Sequence, residues 1–320
     1  GSGKMAVCMS QLYHEYKRGN LAGYAKWETF PIFNLPLNHP VNLAYEAATV
    51  DLDDVNMIDP YHLEKYGIVC SNYNRDVESF PVLSKIMRQI IGEDVYYSPT
   101  DMGVNMIGLC IDDDQLVRKA SCDEIIRRYY QTLVEYRNGS LDENAINKME
   151  VIMNKAGITI NDRPVVAAAL ARSEQLGGAP TVALQVEDGH IETGKNSSLL
   201  NAPSAALLNM LKHLCGFPDD TLLLSPHIIE PVQTLKTEYQ GNSNPRLHVD
   251  EVLIALAISA QMNPLADKAM KALPLLENAQ MHSTVILPQV DADTLRKLGV
   301  GMTCEPKVAS KKLVHAARDV

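Results

Sequence analysis

The sequence predicts an α/β protein in three parts: a truncated P-loop-like or Rossmann-like part, a helical middle, and a C-terminal three-layer α/β/α unit. Three observations carry that expectation. The chain opens on Gly1-Ser2-Gly3-Lys4 directly ahead of a helical apolar pattern. Its middle shows 3.6-residue periodicity, and past Gly177-Gly178 a hairpin signal leads into alternating strands and helices. The matching boundaries are 1–110, 111–178 and 179–306, with a charged tail over 307–320.

Met5, Cys8, Met9, Leu12 and Tyr16 fall at helical spacing after the opening loop, and Gly19 offers a stop. Over Gly23–Phe33, Tyr24, Lys26 and Glu28 alternate with Ala25, Trp27 and Thr29, a strand pattern that Pro36 and Pro40 end. Leu43–Thr49 reads as a short helix and Asn72–Asp76 as a polar loop. Pro81 marks the start of a helix lined by Leu83, Ile86, Met87 and Ile90. Ser121 with Glu124, and Ser140 with Glu143, have capping-box spacing, which predicts two helices in an antiparallel hairpin. A third helix starts near Asp162-Pro164 and ends at Gly177-Gly178.

Beyond that boundary Thr181–Glu187 and His190–Thr193 flank Asp188-Gly189, a two-residue hairpin turn. A helix over Pro203–Cys215 precedes strand-like Thr221–Ser225 and Val232–Tyr239. A helix over Pro245–Met262, a strand over Ser283–Pro288, a helix capped by Asp291, and a last strand over Val300–Cys304 complete the chain.

Composition narrows the function classes. Lys and Arg total 29 against 39 Asp and Glu, a net charge of −10. An acidic chain is poorly suited to nucleic acid or anionic membranes, both of which reward a basic face. No apolar run is long enough to span a bilayer. The six cysteines contain no C-x-x-C pair and read as free thiols of a reducing, cytoplasmic compartment. A homo-oligomer is left open.

The opening loop admits two readings. Gly1, Ser2, Gly3 and Lys4 supply amides, a helix N-terminus and a cation for a phosphate, with a nucleotide as the cofactor such a loop would take. Met5, however, replaces the hydroxyl that holds magnesium in the full pattern. Alternatively Gly-Ser-Gly is a cloning remnant before an ordinary helix. A candidate pocket, formed by Asp59, Arg75, Asp101 and Asn105, lies among polar loops, although Asp59 before Pro60 and Asp101 near Gly103 also suit capping and turn roles.

Catalytic motifs are sparse. His14-Glu15 lacks the second histidine of H-E-x-x-H. His248-Val-Asp250-Glu251 has an H-x-E start, but no cysteine pair follows to complete a deaminase zinc shell, so no zinc is expected. Acidic residues at a helix N-terminus explain that stretch adequately. Thr193–Ser197 leaves a strand and fits an anion site or a solvent-facing turn. No residue is assigned a catalytic role.

Several long runs carry a resemblance: Gly23–Phe30, His39–Thr49, Asp54–Pro60, Pro99–Asn105, Glu124–Tyr130, Thr193–Ser197 and Asn244–His248. Together they resemble the bacterial family known as domain of unknown function 1846, over nearly the whole chain. The resemblance implies a further α/β segment ahead of this chain, which then reads as a fragment with a native Gly1–Lys4 loop. It also implies a cytidine-deaminase-like topology after Gly178. Some members carry a peptidase label that no motif here supports. Two functions follow as expectations: binding of a nucleotide or other phosphorylated small molecule, or a non-catalytic scaffold on enzyme-like folds.

Overall fold

The computed structural model describes residues 3–26 and 31–309. It is mixed α/β with two small sheets and divides into two compact units. Unit 1 comprises residues 1–129 with 142–158, and unit 2 comprises 130–141 with 159–320.

Unit 1 is mainly helical. Helix α1 (Lys4–Lys17) buries Met9 and Leu12. These side chains pack with Phe80, Leu83, Met87 and Met102 in one core cluster. Helix α2 (Pro40–Ala48) starts on a proline behind the His39 cap. Strand β1 (Asn56–Ile58) leads into α3 (Pro60–Tyr66), and β2 (Ser71–Tyr73) pairs antiparallel with β1. Helix α4 (Asn74–Ile91) follows directly. Helix α5 (Asp114–Arg137) runs across the division into unit 2, and α6 (Glu143–Ala156) belongs to unit 1.

Several local expectations change here. Among the described residues unit 1 holds this one antiparallel pair and no open parallel sheet. Of the expected strand over Gly23–Phe33, residues 27–30 lie outside the described part, and 23–26 form no strand. Ile32 makes only an isolated bridge to Asn105, since Pro31 beside it has no N–H to extend a ladder. Helix α4 begins seven residues before Pro81 and carries that proline inside it, so the polar 72–76 stretch is strand end and first turn. Ser121 is no cap: α5 is already under way, and its Oγ donates to Val117 O at 2.7 Å. The cap of α6 is Asp142, accepting from Ala145 N–H at 3.2 Å.

Unit 2 contains α7 (Pro164–Gln175), β3 (Thr181–Gln185), β4 (Ile191–Lys195), α8 (Ala202–Cys215) and α9 (Pro226–Thr234). It continues with α10 (Val249–Ser259), α11 (Pro264–Lys271), β5 (Gln280–Ser283), α12 (Gln289–Lys297) and β6 (Gly301–Cys304). The sheet order is β4-β3-β5-β6, with β5 and β6 parallel and the other pairs antiparallel. Side chains alternate across β3. Val182 and Leu184 join the large core with Leu207, Met210 and Leu211 of α8, while Ala183 faces Val165 and Ala169 of α7. Helices therefore cover both faces, giving three layers.

Residues 221–239 depart from expectation. No strand forms there. Ser225-Pro226 opens α9, which buries Ile229 and runs on into a π-helical turn over Leu235–Tyr239. A proline at the first helical position favours this start, and the apolar run is too short for its periodicity to separate strand from helix. The fifth strand lies three residues before its expected start, held by its register to Val182 and Cys304 through Ser283. Buried Arg163 ties the parallel pair together: its guanidinium donates to Met281 O at 3.3 Å, Gly301 O at 2.7 Å and Thr303 Oγ1 at 3.2 Å. All six cysteines are free, and Cys8 and Cys110 are exposed. No described helix is long and apolar enough to cross a membrane.

Candidate functional site

The candidate site lies in unit 2, where two distant stretches are bonded together. After β4 the chain turns through residues 196–200 into Asn201, which caps α8 by accepting from Ser204 N–H at 3.0 Å. Asn196 Oδ1 secures the turn by accepting from Ala202 N–H at 2.8 Å. Glycine is needed at 194, because a Cβ would run into the Ala202 carbonyl and the Ala206 backbone. Against this turn lies the segment Asn244–His248. Leu247 N–H donates to Leu199 O at 2.9 Å, and Asn201 N–H to Leu247 O at 3.2 Å. Arg246 Nε donates to Ser197 O at 2.6 Å. The Gln233 amide bridges Ser198 O at 3.0 Å and Pro245 O at 3.1 Å.

His248 sits at this junction. Its Nδ1 is 2.9 Å from Oδ2 of Asp291, a wholly buried residue in the first turn of α12. Asp291 also accepts from Asn201 Nδ2 at 2.8 Å and from Val249 N–H at 2.8 Å. Asn201 Nδ2, which donates one hydrogen to the carboxylate, also lies 3.1 Å from the same imidazole nitrogen. A carboxylate beside Nδ1 favours the tautomer that carries its hydrogen there and its lone pair on Nε2. That nitrogen has no protein partner among the described residues, and the His248 side chain is 17% exposed.

A second layer holds the loop. Lys236, in the π-helical turn, donates through Nζ to Arg246 O and Glu251 Oε2, both at 2.7 Å. Glu251 Oε2 also accepts from His248 N–H at 2.7 Å. Between these residues in sequence, Asp250 has a buried Oδ1 with no hydrogen-bond partner among the described residues. An unpaired buried carboxylate oxygen is costly, and it leaves an acceptor unused two residues from the imidazole. An imidazole with Nδ1 held by a buried aspartate and Nε2 free is equipped to take a proton from a bound hydroxyl or water.

Sequence reading missed this arrangement. His248 was legible as part of an acidic helix start and Asp291 as a cap, but the two lie 43 residues apart. Asn201 and His248 lie 47 apart. One signal was present: Thr193–Ser197 and Asn244–His248 are both runs of the family resemblance, and the fold lays them side by side.

In unit 1, Gly1 and Ser2 lie outside the described residues. Gly3 is left-handed at φ 70° and precedes α1 without a side-chain cap, and Lys4 is exposed at the first turn. Asp59 is buried and caps α3, accepting from Tyr61 and His62 N–H at 3.0 and 3.1 Å. Its other oxygen accepts from the Thr100 N–H and hydroxyl at 3.1 and 2.5 Å. Asp101 accepts from Tyr97 N–H, Ser98 N–H and the Tyr66 hydroxyl at 2.8, 3.1 and 3.1 Å. These two aspartates meet around the 97–101 turn. Arg75 faces Asp54 at 2.5 Å, and Asn105 bonds Ile107 N–H at 3.1 Å and the Tyr45 hydroxyl at 3.4 Å. A cleft of about 270 Å³ lies between α2 and α6, lined by Glu46, Asp53, Asp54, Lys148 and Lys155. None of the four candidate pocket residues lines it.

Comparison with known proteins agrees across both units. Residues 1–157 match the family model described as domain of unknown function DUF1846, N-terminal, and residues 161–314 match its C-terminal counterpart. A UPF0371 protein of Streptococcus thermophilus (strain CNRZ 1066) is 53% identical over 313 residues, covering 98% of this chain and 63% of that protein. A UPF0371 protein of Corynebacterium urealyticum is 54% identical over 313 residues, again 98% and 63%. One from Streptococcus pneumoniae serotype 2 is 51% identical over 306 residues, 96% and 62%. The chain thus spans a little under two thirds of the length of these relatives. With both family models matched in order along it, the chain belongs to the DUF1846 family.

Proposed function

We propose that unit 2 is the catalytic part of a small-molecule enzyme, in which His248 is the general base and Asp291 fixes its tautomer. The observation that carries this is the Nδ1–Asp291 bond at 2.9 Å with Nε2 left unpaired. Proton abstraction from a bound hydroxyl or from water is the step this geometry serves, with substrate held near the 197–201 and 244–248 backbone. The hairpin ahead of a parallel pair also supports a deaminase-like topology, while the chemistry rests on the imidazole. The test is untargeted mass spectrometry of a metabolite extract incubated with the full-length protein, beside its His248→Gln variant. Consumption of a metabolite, slowed at least about 100-fold in the variant, is expected for a lost general base. Equal turnover by a folded variant, or none by the wild type, rejects the assignment and favours the scaffold alternative.

A second reading concerns unit 1: a phosphorylated small molecule, a nucleotide included, bound at the start of α1. The uncapped amides behind left-handed Gly3, the absence of acidic residues in the first turn, and exposed Lys4 favour it. Asp59, Arg75, Asp101 and Asn105 already have partners within the chain, so this reading rests mainly on Lys4 and the helix amides. Melting of the full-length protein with ATP or inorganic phosphate tests it. A rise lost in Lys4→Ala supports it; no rise with either ligand removes it.

A further inference from the structure

We propose that His190, His213 and Glu192 form a binding site for a borderline first-row divalent cation of the zinc class. Asp188 stands beside them as a further carboxylate. The site is independent of the His248 assignment.

Asp188-Gly189 makes the β3–β4 turn, with Asp188 Oδ1 accepting from His190 N–H at 2.8 Å. His190 and Glu192 are two residues apart along an extended segment, so their side chains leave on the same side. Helix α8 packs on β4, as Gly194 allows, and its last turn brings His213 onto that side. The two imidazoles stack face to face with centroids 3.4 Å apart and planes 5° from parallel. One donor atom from each of His190, His213 and Glu192 falls within 4.8 Å of the others.

The pairings are those of unfilled ligands. His190 Nε2 is 2.8 Å from Glu192 Oε1, and His213 Nε2 is 3.5 Å from Asp188 Oδ2. Neither carboxylate is paired with a lysine or arginine among the described residues. Two carboxylates therefore face the two rings with no fixed cation among the described residues to offset their charge. A divalent ion supplies that charge. Rotation of the rings about their Cβ–Cγ bonds brings a nitrogen lone pair of each onto it, in place of the His190–Glu192 contact. Two imidazoles with carboxylates select zinc, cobalt or nickel over magnesium and calcium, which prefer all-oxygen shells. His213 comes from a separate helix, and the three residues belong to neither the His14-Glu15 nor the His248–Glu251 stretch.

The position suggests a clamp. His213 lies twelve positions beyond the cap Asn201, about 18 Å along the axis at 1.5 Å per residue, so the ion sits far from His248. It ties the hairpin turn to the last turn of α8. The test is calorimetric titration of the tag-free full-length protein with zinc chloride, with cobalt absorption as a coordination readout and magnesium as the comparison ion. One zinc per site is expected, with at least about tenfold weaker binding in each of His190→Gln and His213→Gln. Unchanged melting of the metal-free variants shows that they fold. Absence of saturable binding by the wild type overturns the proposal. So does zinc binding of equal affinity in both folded variants, which places the ion elsewhere, for example on a free thiol.

Discussion

Replacing Asp291 with alanine separates the framework of the candidate site from its exposed imidazole. The carboxylate is wholly buried and accepts three hydrogen bonds: from Val249 N–H and Asn201 Nδ2 at 2.8 Å each, and from His248 Nδ1 at 2.9 Å. Alanine leaves all three donors facing a void. Each buried donor left unsatisfied costs about 1–3 kcal/mol, but His248 can reorient towards water, so two donors bear most of the loss. Adding the small cavity gives about 3–5 kcal/mol, or a melting shift of ~10 °C for a unit of this size. His248→Ala removes a partly exposed ring and should cost about 1 kcal/mol, since Asp291 keeps two donors. Urea titration of both variants against wild type, followed by far-UV circular dichroism, measures the difference. A loss below about 1 kcal/mol for Asp291→Ala refutes the reasoning, because the carboxylate would then not be holding three elements together.

Two further outcomes follow from the same fold. Gly194→Ala should destabilise unit 2 by about 3 kcal/mol or more, since its Cβ meets only backbone atoms of α8 that cannot swing aside; thermal melting checks this, and a neutral effect contradicts the packing. His282 is wholly buried, with Nδ1 2.8 Å from Thr303 Oγ1 and Nε2 3.4 Å from Glu305 without hydrogen-bond alignment. Burial holds its pKa below the ordinary 6.5, outweighing the Glu305 carboxylate. The unfolded chain therefore binds a proton that native His282 refuses. Its contribution is complete above about pH 6.5 and is lost as pH falls towards the folded value. Melting temperature between about pH 7.5 and 5 should fall with acidification, and His282→Gln should flatten the slope. An equal slope in that folded variant assigns the pH dependence to another group.

How much of this was legible in the sequence depended on how local the cause was. Asp188-Gly189 fixes the hairpin turn by itself, and Gly216 ends α8 with φ 67°, so both were readable. Residues 221–239 were misread because Val232, Leu235 and their neighbours are apolar in a run too short to show its period, and tertiary packing decided for helix. Ser121 with Glu124 has cap spacing, but α5 begins seven residues earlier. The site was the least legible part. Asp291 faces His248 only after α10 and α12 pack, and the Lys236 ammonium reaches Glu251 only from the π-helical turn. What the sequence did mark was the pair of runs around Ser197 and His248, whose closeness the fold explains.

Whether Asp291 leaves His248 Nε2 free to take a proton is read from the tautomer of that imidazole. Two-bond nitrogen–proton NMR of histidine-labelled full-length protein at about pH 8, with His248 assigned by His248→Gln, reads it. The structure predicts an Nδ1–H tautomer with an unprotonated Nε2, lost in a folded Asp291→Asn variant. An Nε2–H tautomer in the wild type would overturn the general-base assignment, since the lone pair would then face the carboxylate and no base would face the substrate.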